Sequence, residues 1–452
     1  MIELNHIKNI YFIGIGGIGM SALARYFKFQ GKNVAGYDKT STPLTRTLES
    51  EGIQVVYDEA VASIPEDFTH LEGTLVVYTP AISKEHKQWL YFISREFPLK
   101  KRAEVLGLIS KGKNTLAVAG THGKTTTTAI LGHLLKETGA PVTGFLGGIS
   151  EDIQSNLILK GDEVIVVEAD EFDRSFMQLA PNIAAITSMD ADHLDIYHDK
   201  EELDKTFRDF AALVPESGTL FVKNGLPIEG ITLGIEDDAD YTATDIEIEN
   251  GTYHFNLRTP KGIIKDLRFN LPGKHNLLNA ITALAMAIQY GSPTDEELAR
   301  ALFSFKGVRR RFTYKIRTDE LVLIDDYAHH PAEIEAVHQA VREMHPGKKV
   351  LAIFQPHLFS RTRDFGDDFA KSLAKFDELL LLDIYPAREE PIEGIDSVWL
   401  FDQIKMNLKR LITKEQLSEE VKKSDASVIV MMGAGDIGEE VEPLKRILLN
   451  ER

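Results

Sequence analysis

The chain has 452 residues, 43 % of them apolar, enough for about three domains of ~150 residues each. Lys and Arg number 51 against 69 Asp and Glu, and the resulting −18 disfavours nucleic acid or an anionic membrane surface as a partner. Cysteine is absent, which excludes disulfides and thiolate chemistry.

The first elements read as a strand NIYFIGI, a helix MSALARYFKFQG and a strand NVAGYD. Residues 9–24 could pass for an export signal, but Gly14, Gly16, Gly17 and Gly19 interrupt it and Lys8 is a thin basic lead. No run reaches the ~18–20 apolar residues of a membrane helix, so a cytoplasmic protein without membrane insertion is expected. The four glycines form G-x-G-x-x-G between strand and helix, and Asp38 ends the next strand. Such a loop brings backbone close to a diphosphate at a helix N-terminus. A nicotinamide dinucleotide fits it, so does a UDP-sugar, and a bare tight turn is the plain alternative.

Residues 115–128, TLAVAGTHGKTTTT, are a strand, a glycine turn and a helix start. Backbone N–H groups there can cradle a polyphosphate. Lys124 can reach its terminal phosphates, and Thr125 or Thr126 can offer a hydroxyl to Mg²⁺. The strict phosphate-loop pattern fails because Val118 stands where its first glycine belongs, leaving Gly120, Thr121, His122, Gly123, Lys124 and Thr125. The reading is an ATP site, against an ordinary glycine-capped junction. Hydride transfer does not need ATP, so this second loop weakens the dinucleotide reading of the first.

In EVIVVEADEFD, Glu168 ends a buried-type strand where an acid would face Mg²⁺, while Asp170, Glu171 and Asp173 read as loop solvation. His193, in DADHLDIY, is a candidate metal or phosphate contact. Residues 240–270 alternate in polarity with turns at Asn250-Gly251 and at 260–262, the pattern of a hairpin excursion. The helix HNLLNAITALAMAIQYG then ends on Gly291 as a cap. On its first turn His275, Asn276 and Asn279 can read an adenine edge or simply cap the helix. Arg309, Arg310 and Arg311 can clamp phosphate charge or form a basic rim. Further on, Asp325, Asp326, Tyr327, His329 and His330 follow one strand, and His357, Arg361 and Arg363 follow the next. Adjacent parallel strand ends make a ligand crevice in which an arginine suits an amino-acid carboxylate; surface salt bridges are the alternative.

In this order, GIGGIGMSALA, KRAEVLG, AGTHGKTTTT, VVEADEFDRSF, DADHLDIY, GKHNLLNA, GVRRRF, DDYAHHP, FQPHLFSRTRDF and DIYPAREEPIEG resemble the Mur ligases over essentially the whole chain. The resemblance implies an α/β fold of three domains: a Rossmann-like UDP-substrate domain at 1–112, a central P-loop ATPase-type domain at 113–313, and a Rossmann-like amino-acid domain at 314–452. It implies an ATP- and Mg²⁺-dependent ligase of peptidoglycan precursor synthesis. L-alanine would be joined to the lactyl carboxylate of UDP-N-acetylmuramate through an acyl phosphate. A monomer or homodimer is expected.

By matching motif positions, the resemblance gives Lys124 the β/γ-phosphates, Thr125 and Glu168 one Mg²⁺, and His193 the second. The turn residues Gly120, Thr121, Gly123 and Thr126 go to ATP, with His275, Asn276 and Asn279 around adenine. Arg310 and Asp326 contact the nucleotide. Gly14, Gly16, Gly17 and Gly19 take the UDP diphosphate, with Asp38, Arg102 and His122 near the same substrate. Tyr327, His329 and Arg361 line the alanine pocket. Two departures stand out. Some relatives carbamylate a lysine after the DHLD block, a role not given to Lys205 here. Many alanine ligases have arginine where this chain has Leu358, which leaves Arg361 for the carboxylate. Bringing two anionic substrates together would need closure about a hinge near 312–316. The rivals are an NAD-dependent oxidoreductase, a nucleotide switch without catalysis, and a recycling ligase that attaches a pre-formed peptide.

Overall fold

In the computed structural model, which describes residues 3–190, 200–249, 251–387 and 389–450, each uninterrupted apolar run becomes an inner strand of a largely parallel sheet. Strands covered on both faces need no polar alternation. The first sheet contains Asn9–Ile13 (β1), Asn33–Tyr37 (β2), Gln54–Val56 (β3), Thr74–Tyr78 (β4) and Leu99–Lys101 (β5), all parallel, in the order β3-β2-β1-β4-β5. Its helices are Ile18–Phe29 (α1), Pro43–Ser50 (α2), Lys87–Ser94 (α3) and Arg102–Ser110 (α4). The order reverses beside β1, so the 14–19 loop opens onto the crevice where α/β sheets bind ligands.

The second sheet contains Asn114–Ala119 (β6), Val142–Ser150 (β7), Ser155–Leu159 (β8), Val164–Glu168 (β9), Ile183–Ile186 (β10), Thr219–Lys223 (β11), Ile231–Ile235 (β12), Tyr241–Glu249 (β13), Thr252–Thr259 (β14) and Gly262–Phe269 (β15). Its order is β15-β14-β13-β12-β11-β10-β6-β9-β7-β8, which sets β6 between β10 and β9. Lys124–Glu137 (α5), Lys200–Ala211 (α6), Lys274–Gly291 (α7) and Asp295–Ser304 (α8) accompany it. The third sheet contains Thr313–Arg317 (β16), Val322–Asp326 (β17), Val350–Phe354 (β18), Glu378–Leu381 (β19), Lys409–Leu411 (β20) and Val428–Met432 (β21), ordered β16-β17-β21-β18-β19-β20. Only β16 is antiparallel there. Pro331–Met344 (α9) and Phe359–Asp364 (α10) follow β17 and β18.

The chain forms two compact units. One contains the chain up to Thr244 with Asn256–Lys265 and Asn279–Phe305; the other contains Asp245–Phe255, Asp266–Leu278 and Lys306 onward. The first sheet and strands β6 to β12 of the second share a unit because α1 buries eight residues, Met20 to Phe27, and one apolar cluster runs from Phe12 and Leu23 to Phe145 and Val167. A buried polar bridge reinforces it. Asn156 of β8 donates to the Ser21 hydroxyl at 2.9 Å and accepts from Arg25, which donates to Glu51 at 2.8 Å.

Three local expectations meet the structure. The 260–261 turn joins β14 to β15 as the polarity pattern predicts. Gly291 is not the helix cap: it is the last residue of α7, and the left-handed residue is Ser292, with φ 46°. Residues 312–316, where a hinge is expected, are bonded to β17. Phe312 donates its N–H to Asp326, and β16 begins at Thr313 and pairs with β17.

Candidate active site

The second glycine loop is pinned to the end of β10. Gly120 has φ +134°, and a Cβ there would lie 2.2 Å from the Thr187 hydroxyl oxygen. Thr187 donates to the His122 carbonyl at 2.5 Å, and the Ser188 hydroxyl accepts the His122 N–H at 2.7 Å. Thr121 and Ser188 hydroxyls lie 2.9 Å apart. Thr187 and Ser188 escape the sequence reading; their signal is a pair of hydroxyls directly after the apolar run NIAAI. Gly123 caps α5 with φ 85°, and its missing side chain leaves room for the Asn279 amide, whose oxygen would be 2.5 Å from a Cβ. Thr125 to Thr128 are all buried on the first turns of α5.

Thr125 donates to both carboxylate oxygens of Glu168, at 3.0 Å each. Among the described residues no comparable bond marks Thr126, so Thr125 is the hydroxyl that meets the acid. Gly147 of β7 clears the space, since a Cβ there would lie 1.9 Å from Glu168 Oε2. Lys124 donates to the Gly120 carbonyl at 2.7 Å and to Glu171 Oε1 and Oε2 at 2.8 and 2.7 Å. Burial alone would lower the lysine pKa, yet Glu171, Asp170 and Glu168 outweigh it and hold the ammonium above its ordinary range.

Glu171 corrects the sequence reading. It is not loop solvation: its side chain is 0 % exposed and spends its charge on Lys124. Asp170 stays partly exposed, as a loop acid should, and lies 3.5 Å from Arg102 Nη2. Acids that follow a strand end are usually solvated, so only the fold could set Glu171 apart. Arg102, at the start of α4, covers Gly19, where a Cβ would be 2.6 Å from its Nη1. Arg102, Glu168 and Asp170 line one small cavity with Ser175, Phe176 and Leu179.

In the first loop, Gly14 and Ile15 donate their N–H groups to the Tyr37 carbonyl, and Gly16 N–H donates to Asp38 Oδ2 at 2.7 Å. Asp38 therefore braces the loop. Gly17 caps α1. His122 Nε2 lies 3.8 Å from Asp190. The His193 assignment falls outside the described residues. Lys205 is exposed on α6, and Lys200, which opens α6, stands nearer the DHLD block in sequence.

The second unit brings its own set together. Arg310 sits at φ 59° with its guanidinium 3.4 Å from Asp325, donating to the Gly433 carbonyl at 2.5 Å and lying 5.1 Å from the Tyr327 ring centre. Asp326 accepts from Phe312 and Ala328 N–H groups, both at 2.7 Å, and burial pushes its carboxyl up to about 6. Tyr327, His329, His357 and Tyr385 form a row of rings with centres 5.3, 5.9 and 5.7 Å apart. Arg361 lies at its edge, Nη1 3.4 Å from His357. Leu358 is buried with φ 71°, a core residue that turns the chain into α10. Asn276 donates to the Pro272 carbonyl at 2.7 Å, and the His275 ring packs over Gly273.

Family models cover nearly the whole chain: Mur ligase family, catalytic domain, over residues 9–114; Mur ligase middle domain over 118–287; Mur ligase, glutamate ligase domain, over 310–435. The chain belongs to the Mur ligase family. This Mur ligase is 68 % identical over 452 residues to the UDP-N-acetylmuramate–L-alanine ligase of Christiangramia forsetii, covering 100 % of both chains. It is 61 % identical to that of Flavobacterium psychrophilum, over 99 % of each. Its structure is similar to a UDP-N-acetylmuramate-alanine ligase from Thermotoga maritima, with TM-score 0.83 and 27 % identity over 98 % of this chain and 100 % of the other. A murein peptide ligase from Psychrobacter arcticus shares the fold with TM-score 0.68 at 20 % identity, over 98 % and 99 %. A dehydrogenase reading of the first loop is overturned by this membership.

Proposed function

We propose that this Mur ligase joins L-alanine to the lactyl carboxylate of UDP-N-acetylmuramate at the expense of ATP. One observation carries the reading. The consecutive acids Asp170 and Glu171 link Arg102, which covers the first glycine loop, to Lys124 of the second. A diphosphate substrate on one loop and a triphosphate on the other would thus present acid and phosphate to each other. Kinship with alanine ligases supports single-amino-acid addition over the recycling of a pre-formed peptide.

The chemistry follows from the weakness of a carboxylate as an electrophile. A lactyl carboxylate oxygen attacks the γ-phosphorus, the bond to ADP breaks, and an acyl phosphate forms. The amine of alanine then attacks its carbonyl carbon, and the tetrahedral intermediate expels phosphate to leave the amide. Positioning and charge neutralisation do most of this work. The loop amides and Lys124 receive the phosphates, and Arg102 balances the UDP-substrate. Arg310 with His275, Asn276 and Asn279 serve the nucleotide, while Tyr327, His329 and Arg361 serve alanine.

Thr125 and Glu168 fit Mg²⁺, because a hydroxyl and a carboxylate held together are hard oxygen donors and Mg²⁺ takes one or two carboxylates plus phosphates. Bound there, the ion would neutralise phosphate charge. The test is ADP release with UDP-N-acetylmuramate and, in turn, L-alanine, L-serine, glycine and a tripeptide. Release that requires the sugar nucleotide, is greatest with L-alanine and is lost in Lys124→Ala upholds the reading; best turnover with the tripeptide refutes it.

A further inference from the structure

Glu171 takes no part in the reaction just described, yet it holds the residue on which ATP binding depends. An ammonium has three N–H donors and no acceptor. All three of those on Lys124 have partners: the Gly120 carbonyl at 2.7 Å and both oxygens of Glu171 at 2.8 and 2.7 Å. The bond to Gly120 bends the side chain back onto its own loop, four residues upstream. A phosphate can reach this ammonium only by taking over at least one of the three bonds. Glu171 is fully buried, so its charge is poorly screened and acts on any incoming anion at short range.

We infer that Glu171 is a positioning residue that stands in for phosphate on Lys124, so that nucleotide entry and ADP exit are exchanges between a carboxylate and a phosphate at one ammonium. The inference rests on the reading of Lys124 as the phosphate-binding lysine. It gives the buried carboxylate a purpose beyond stability: it keeps the empty loop from holding a bare buried cation, and it competes with product for that cation. The loop then binds ATP more weakly than it could, and releases ADP more readily.

The test is Glu171→Gln in the full-length enzyme, which keeps the size of the side chain and removes its charge. ADP is titrated calorimetrically, and KM is measured separately for ATP and L-alanine. The expected result is ADP binding at least about threefold tighter and a lower KM for ATP, with KM for L-alanine unchanged. Unchanged or weaker ADP binding overturns the inference. Should the variant be too unstable for calorimetry, the rise in Tm with saturating ADP decides. It must exceed that of the wild type, because ADP then supplies the missing negative charge; an equal or smaller rise overturns the inference. Lys124→Ala in the same assays separates the two readings. If it binds ADP and turns over ATP as the wild type does, the phosphate-loop assignment itself fails, whatever Glu171→Gln does.

Discussion

The Thr125 hydroxyl donates to both oxygens of the Glu168 carboxylate, joining residues 43 positions apart through the central strands β6 and β9. Gly147 makes the pairing possible by leaving space beside Glu168. Gly147→Ala is expected to displace the carboxylate and lower kcat about 10–100-fold, the usual loss when a supporting contact of a metal-ligand site is broken. ADP-release kinetics check this, and a variant with wild-type kcat would show that Glu168 tolerates the displacement.

The Lys124–Glu171 pair gives a stability prediction. Lys124 is 12 % exposed and Glu171 not at all. Removing one member of a buried pair costs about 3–5 kcal/mol, because the other is left uncompensated. Lys124→Met is therefore expected to lower the thermal midpoint clearly, and Lys124→Met with Glu171→Gln to recover part of that loss. Neither variant should release ADP. Strictly additive midpoints would mean that the two groups are not coupled.

Gly19→Ala separates function from fold. Gly19 lies in the first turn of α1, where alanine is favoured over glycine by about 1 kcal/mol. Its new methyl would meet Arg102 at 2.6–3.2 Å and push the guanidinium aside. A KM for UDP-N-acetylmuramate raised about tenfold, with unchanged ADP affinity and a Tm no lower than the wild type's, is the expected outcome. An unchanged KM would remove Arg102 from substrate binding.

Asp326 predicts a pH dependence. Burial raises its carboxyl from 3.8 to about 6, so between those values the folded protein binds more protons at this site than the unfolded chain. Stability then falls as pH rises through that window, and this one group costs about 3 kcal/mol above it. Asp326→Asn does not titrate. Hence the wild type should lose stability relative to the variant between pH 4 and pH 7, as read by thermal midpoints across that range. A constant difference would show that the group is ionised throughout.

Much of the site was legible because its chemistry is local. Gly120 to Thr125 stand together in the chain, and so do Tyr327 and His329, so backbone amides, the ammonium and the ring pair follow from short segments. The parallel sheets were legible too, since strands covered on both faces must be continuously apolar. Glu171 was misread because an acid after a strand end carries no mark of its partner. Thr187, Ser188 and Gly147 went unseen because their roles are contacts to distant segments. Gly291 misled as a cap because Ser292 accepts the left-handed turn instead.

The sequence by itself determined the alternation of strands and helices, the two glycine loops and the family, because each rests on residue types at fixed short spacings. Only the tertiary structure decided that the first two sheets share one core, that Thr125 meets Glu168, and that Glu171 neutralises Lys124. Those pairings depend on which strands become neighbours, and burial then fixes their strength, since charges and hydroxyls removed from water must find partners inside the protein.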